Sequence, residues 1–347
     1  MIRSPAFLVV SLGTATLILA GVVSLNYLVD PLWHFGGNKL APVNFVFDER
    51  RSKLNILWPR RRDYNCYILG SSRATLLHQG EIKRFRCFNL AFSAATPPEV
   101  VAYARYLAHH VPAPRAVIVA VDMRNFSRPR LARRVPDFVD ELGPPPGPLA
   151  GLVSLDAALF SLRTLAGRSP YARYYDGGFD VRVLPGTRPM PVPDCYALQD
   201  AGRPYAADRL EDYRQLRRLF PRAELIGYTA PVSAWDMTVL AEDGSLDSYA
   251  RIQYAVSRLF DRYYDFAIPS AVTADPTNSY DSDHFLPRVN RRIATTIDTD
   301  EPAFGLALHR LDEQGYAAAL RRAIDDFRRG RKPVRLARDC GRLPAVR

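Results

Sequence analysis

From Pro5 to Val29 the chain carries no charged residue and is dominated by Leu, Val, Ala and Ile. That run is long enough to cross roughly 30 Å of hydrocarbon as a helix. Asn26 and Tyr27 near its end suit an interfacial zone. Residues 31–62 follow as an irregular juxtamembrane linker, broken by Pro31, Gly36, Gly37 and Pro42. Beyond it, short apolar runs alternate with helical spacing. Asn65–Leu69, Cys87–Phe92 and Ala116–Val121 read as strands, separated by a helical segment over Ala74–Phe85 and a helix over Pro97–His110. Pro97 and Pro98 suit that helix's first turn. Strands alternating with helices predict an α/β fold with a central parallel sheet.

The alternation is lost from Ser127 to about Ala207, where Gly143–Pro148, Gly177-Gly178 and Pro185-Gly186 punctuate the chain. So long a stretch predicts an insertion with small elements of its own. Regularity returns with a helix over Asp208–Phe220, strands at Glu224–Tyr228 and Tyr263–Ile268 with a helix over Ser248–Phe260 between them, and helical segments from about Pro287 and Asp312. The expected division is a membrane helix over 1–30, the linker 31–62, an α/β domain over 63–300 holding the insertion at about 127–207, and a C-terminal helix with a basic tail over 301–347. No internal repeat is present.

Composition adds location and partners. The 347 residues are 48% apolar and 24% charged, which predicts a folded chain. Much of the net charge of +11 is concentrated: Arg321–Arg347 holds ten Lys/Arg against three Asp, and Arg60-Arg61-Arg62 forms a second knot. Such runs are either solvated surface or contacts for anionic lipid headgroups or an acidic polysaccharide. No basic, aromatic-interleaved motif argues for nucleic acid. Cys66, Cys87, Cys195 and Cys340 lack metal-ligand spacing, so no zinc site is expected. Cys66 and Cys87 each sit early in a predicted strand, where a free thiol acts as a small buried hydrophobe. In an oxidising compartment they are the pair nearest in sequence. The apolar start competes as a cleavable signal, given Arg3, but is long for one and lacks a small-x-small site after it. A retained anchor is expected, with the bulk outside the cytoplasm. The basic residues on either side give no orientation by themselves.

The candidate chemistry lies in two distant segments, Tyr67-Ile-Leu-Gly-Ser-Ser-Arg73 and Tyr280-Asp-Ser-Asp-His-Phe285. A serine needs a base within hydrogen-bond reach, and that base needs a third group to hold its tautomer. In an open parallel sheet ligands bind beyond the carboxyl ends of the strands. Ser71 and Ser72, Ser93 and Ala94, Asp122 to Asn125, Tyr228 to Ser233 and Asp281 to His284 all follow such ends. Blander readings exist for each. Gly-Ser-Ser is a common turn, and Asp281 and Asp283 suit turn and capping positions before Pro287. Arg73 suits either an anionic acceptor or an ion pair. Of the other histidines, His109 and His110 end a helix, and His34, His78 and His309 lack evident partners.

In the order of these elements, over roughly residues 64–295, the chain resembles the SGNH (GDSL-type) hydrolases. Gly70-Ser71-Ser72-Arg73 takes the place of that family's Gly-Asp-Ser-Leu block. With the apolar start and the Tyr-Asp-Ser-Asp-His-Phe loop, the chain more closely resembles the membrane-anchored bacterial SGNH-like proteins associated with envelope and polysaccharide modification. The resemblance implies a flavodoxin-like three-layer sandwich, with Ser72 as nucleophile, His284 as general base and acid, and Asp281 as its orienter. It implies oxyanion or substrate-binding roles near Ala94, Asn125, Arg73 and Asp122. Two positions depart from the family pattern. Ser93-Ala94-Ala95 stands where a glycine is expected, and Asp122 occupies the place of an asparagine, with Asn125 three residues later. The expected function is a serine esterase or O-acyltransferase on the periplasmic side of a bacterial inner membrane, acting on acylated glycan or lipid and needing neither metal nor organic cofactor. The alternative is a non-catalytic module that binds glycan or a membrane-bound acyltransferase.

Overall fold

A computed structural model describes residues 5–127, 133–177, 179–187, 203–281 and 283–331, with the backbone of 195–196 and 335–336. Most of the basic tail expected after the last helix, and much of the late insertion, lie outside the described residues, as do Gly178, Ser282 and Cys340.

The chain forms two compact units, residues 61–135 with 186–347 and residues 1–60 with 136–185. This differs from the sequence division. The expected linker is not irregular: it holds a strand, Val43–Phe45, and a helix, Glu49–Arg60. That strand pairs antiparallel with Arg173–Asp176, which pairs in turn with Val181–Val183 from the insertion. Each strand is too short to carry a sheet signal alone, and the pairing partner of Val43–Phe45 lies far away in sequence. The same unit contains the helix Pro5–Val29, which is long and apolar enough to cross a membrane.

The larger unit is α/β. Its sheet has six strands: β1 (Cys66–Leu69), β2 (Cys87–Asn89), β3 (Ala116–Val121), β4 (Glu224–Thr229), β5 (Arg262–Asp265) and β6 (Leu306–Ala307), in the order β6-β5-β4-β3-β1-β2. Strands β1 to β5 are parallel, as the alternation predicts, and β6 adds an antiparallel edge of two residues. All residues of β1, β2, β3 and β5 are buried. Strands buried on both faces read as continuous apolar runs rather than alternating ones. On one face Ile68, Ile118, Ile226 and Tyr264 pack with Val289, Ile293 and Ile297 of the helix Pro287–Thr299. On the other face Tyr263 meets Phe260, which meets Tyr213 of the helix Leu210–Leu219. The helix Glu313–Arg328 belongs to this unit rather than forming a separate end. Its Tyr316 donates to buried Asp265 at the end of β5 (3.1 Å), and its Phe327 packs edge-on against Trp235.

The predicted helix over Ala74–Phe85 is replaced by a single turn, Ser72–Thr75, and a short 3₁₀ turn, Gln79–Glu81. Buried Asn89 explains the break. Its amide donates to the carbonyls of Ala74 (2.8 Å) and Leu77 (2.9 Å), satisfying acceptors that a continuing helix would have used. Gly70 sits at the hinge between β1 and this turn, with φ +147°. A Cβ there would lie 2.8 Å from Ala120 Cβ and 3.1 Å from Ala120 O, so only glycine fits.

Cys66 and Cys87 face each other in register on β1 and β2 and form a disulfide, Cα–Cα 4.2 Å, across a sequence separation of 21. Closing a loop of that size stabilises by about 3 kcal/mol, chiefly through the unfolded chain. The double variant Cys66→Ser/Cys87→Ser should therefore show a lower urea midpoint by about that free energy. An unchanged midpoint would contradict the bond.

Candidate active site

β1 ends at Leu69, and the chain turns through Gly70 and Ser71 into the Ser72–Thr75 turn. Thr75 Oγ1 donates to Ser72 O (2.7 Å), Ala74 N donates to Ser71 O (2.9 Å), and Asn89 ties the turn to β2. These bonds hold Ser72 beyond the carboxyl edge of the sheet. The loop after β5 is held just as closely. Ser279 and Phe285 form an isolated antiparallel bridge, Leu286 N donates to Asn278 O (2.8 Å), and Asn290 Nδ2 donates to Phe285 O (2.8 Å). Phe285 is buried, which anchors the loop in the core.

The two loops meet at one hydrogen-bonded chain. His284 Nε2 lies 2.8 Å from Ser72 Oγ, and His284 Nδ1 lies 2.8 Å from Asp281 Oδ2 and 3.0 Å from Oδ1. Asp281 is itself fixed, because its Oδ1 accepts from the backbone N–H of Asp283 (2.8 Å) and of His284 (2.6 Å). With a carboxylate at Nδ1, that nitrogen carries the proton, and Nε2 is left to accept from the serine hydroxyl. The ring also stacks on Tyr280, centroids 5.5 Å apart and planes within 6°. Ser71, the other hydroxyl of the pair, is buried, and the hydroxyl at His284 Nε2 is that of Ser72.

Beside the triad lies a knot of charge that the sequence reading did not assemble. Arg73, 7% exposed, donates from Nη1 to Asp122 (3.3 Å) and from Nη2 to Asp283 (3.1 Å). Arg124 grips the same Asp283 carboxylate with both Nη1 and Nη2, and lies 3.7 Å from Asp236. Asp122 also caps its own turn by accepting from Arg124 N (3.1 Å). Burial opposes the charge on Asp283, but the guanidiniums of Arg73 and Arg124 outweigh it and hold the carboxyl down at about 2. Asp283 is therefore an ion-pair residue rather than only a turn or cap residue. Arg124 and Asp236 carried no sequence signal of their own; only Arg124's place between Asp122 and Asn125 pointed to it.

The remaining candidates stand apart from the hydrogen-bonded chain. Ala94 is exposed after β2, in the left-handed region at φ +54°, where a residue with a Cβ is strained. The preceding Phe92 N donates to Gly70 O (3.2 Å), which lays this segment alongside the Gly70–Ser71 corner. Asn125 lies half-buried on the turn after β3, its backbone N–H donating to Asp122 O (3.1 Å). Neither joins the Ser72–His284–Asp281 chain among the described residues. A cleft enclosing about 390 Å³, including its open mouth, lies beyond β3, β4 and β5. Met123, Met237 and Leu240 supply its apolar lining, and Arg73, Arg124 and Asp236 its polar side. Among the described residues no cluster of His, Cys, Asp or Glu could hold a metal ion. No protein-family model matches the chain, and no curated protein matches it.

The charge knot makes a pH prediction. Asp283's folded pKa lies below its ordinary 3.8, so its stabilising contribution is present above about pH 4 and lost as pH falls towards 2. The size is about 2 kcal/mol, from 1.36 kcal/mol per pKa unit. Acid titrations of folding should show Asp283→Asn less stable than wild type at pH 7 and less sensitive to acid between pH 4 and 2. Parallel acid curves would show that the pairing contributes nothing.

Proposed function

We propose that the chain is a membrane-anchored, extracytoplasmic serine esterase or O-acyltransferase of the SGNH type, acting on acyl esters of a cell-envelope glycan or lipid. The single observation that carries this reading is the 2.8 Å approach of His284 Nε2 to Ser72 Oγ, with Asp281 behind the imidazole. Ser72 Oγ attacks the ester carbonyl while His284 Nε2 takes its proton. The imidazolium, stabilised by Asp281, returns that proton to the departing alkoxide, leaving an acyl-serine. Water then yields hydrolysis, or a sugar hydroxyl yields transfer, with His284 again serving as base.

Three further observations support the reading. The strand order, with the parallel strands running β2-β1-β3-β4-β5, suits a flavodoxin-like three-layer sandwich with its site at the carboxyl edge. An oxyanion donor supplied by the main chain needs no particular side chain, so Ala94 can stand in the place of the family's glycine. The negative charge of Asp122, which would oppose an oxyanion, is countered by Arg73 at 3.3 Å. The Cys66–Cys87 disulfide favours an oxidising compartment, and the helix Pro5–Val29 favours an anchor, which together suit the periplasmic face of an inner membrane.

A second reading, a non-catalytic module that binds glycan or a membrane-bound acyltransferase, is favoured by one observation. Asp122, an acceptor already bonded to Arg73 and to Arg124 N, stands where the family places a donating asparagine, so one expected oxyanion donor is unaccounted for. Losing one such donor costs about 2.7–4 kcal/mol of transition-state stabilisation. A fluorophosphonate probe on the detergent-solubilised chain separates the two. The esterase reading expects labelling that disappears in Ser72→Ala and slows by about 10²–10⁴-fold in His284→Ala, the usual contribution of a general base. Absence of labelling in folded wild type would remove that reading, and labelling that survives Ser72→Ala would move the nucleophile elsewhere.

A further inference from the structure

The insertion contains two consecutive helices, Pro148–Leu152 and Leu155–Leu165, in the same compact unit as the helix Pro5–Val29. Ala157, Ala158 and Ser161 are buried, and the pair packs against the end of the long helix. The junction is polar and partly buried. Asn26 Nδ2, itself buried, lies within hydrogen-bond distance of the carbonyls of Gly151 (3.2 Å), Leu152 (2.9 Å) and Ser154 (3.0 Å). Ser161 Oγ donates to Asn26 Oδ1 (3.2 Å). These carbonyls lie where the first helix stops, and would otherwise need water. Non-helical backbone is tolerated near hydrocarbon only when its polar groups are satisfied within the protein. Asn26 supplies donors to these carbonyls from within the protein.

The outward side of the pair is apolar. Leu155, Leu159 and Leu162 recur at helical spacing along one stripe, 77%, 45% and 55% exposed, with Leu149 and Val153 continuing it and Leu165 beside it. An apolar patch of this extent on a soluble surface marks a contact. Its continuity with the long helix says which one. The Pro5–Val29 helix is exposed along almost all of its first seventeen described residues and becomes covered only over its last two turns, where the helical pair sits. Tyr27 lies at that level with the Lys39 ammonium over its ring (4.5 Å), the amphipathic pairing found where a chain leaves a bilayer. The charged Asp156 and Arg163 on the same helix allow it to lie along the interface but not to cross it.

We propose that residues 148–165 form an interfacial membrane element, with the Leu155–Leu159–Leu162 stripe seated in the outer hydrocarbon of the bilayer. The occupant of this face is lipid, not a protein partner. The inference rests on the reading of Pro5–Val29 as a spanning anchor, and gives the unit a second attachment that fixes its tilt and its height above the bilayer.

Site-directed spin labelling tests it on the full chain. Single cysteines replace Leu159, Leu162, Arg182 or Leu17 in a Cys195→Ser/Cys340→Ser background with the Cys66–Cys87 disulfide intact, in phosphatidylethanolamine/phosphatidylglycerol vesicles. Labels at Leu159→Cys and Leu162→Cys should collide with oxygen several-fold more, and with a water-soluble nickel chelate several-fold less, than a label at Arg182→Cys, an exposed strand position of the same unit. The Leu17→Cys label reads the anchor. If it is lipid-like while Leu159 and Leu162 match Arg182, the inference fails and the anchor stands. If it is water-exposed, both fail. Protection of Leu159 and Leu162 from both reagents would mean a protein covers the stripe, and would overturn the assignment to lipid.

Discussion

Asp283 is gripped by two arginines that reach it from other loops, Arg73 after β1 and Arg124 after β3, across sequence separations of 210 and 159 residues. These bonds form only once the parallel sheet has brought three strand ends to one edge. Removing one member of such a knot leaves an uncompensated charge, which costs about 3–5 kcal/mol when the pair is fully buried. Asp283 stands between Asp281 and His284, while Arg73 directly follows Ser72. The two segments that carry Ser72 and His284 thus each hold a member of the same ion pair.

The central strands were legible because burial on both faces writes them as short unbroken apolar runs, and Ala116–Val121 is recovered at its exact bounds. Ser72, His284 and Asp281 were legible only in combination, because each segment alone suits a turn or cap, but both follow strand ends that a parallel sheet gathers at one edge. Of the two serines, Ser72 is the one whose hydroxyl lies 2.8 Å from His284 Nε2. What escaped had no local pattern. The helix expected over Ala74–Phe85 is cut short by Asn89, which is distant in sequence and reads only as the end of a strand. The helix Ala234–Glu242 has nearly all its residues buried, so it lacks the amphipathic period that marks a surface helix. Arg73 was readable as either an anion binder or an ion-pair residue, and only its two carboxylate partners decide that it is paired.

The small sheet of the other unit escaped for a related reason. Residues 31–62 and 136–185 look irregular because each contributes only part of a small three-stranded sheet. Glu49 and Lys53 on the helix Glu49–Arg60 are buried there, with Tyr175 donating to Glu49 (2.8 Å) and the Lys53 ammonium over the Tyr175 ring (5.3 Å). Desolvation draws the Lys53 ammonium down to about 7. Charged residues in such a place read as solvated linker in sequence, because their neighbours arrive from more than a hundred residues away.

The central claim is that Ser72 forms a covalent acyl intermediate with His284 as its base. Its most direct measurement is peptide mass spectrometry of the full chain, quenched in acid after brief exposure to p-nitrophenyl acetate. The account predicts one acetyl group on Ser72, absent from Ser72→Ala and strongly reduced in His284→Ala. Acetylation confined to lysines or to Ser71, with Ser72 unmodified, would contradict it.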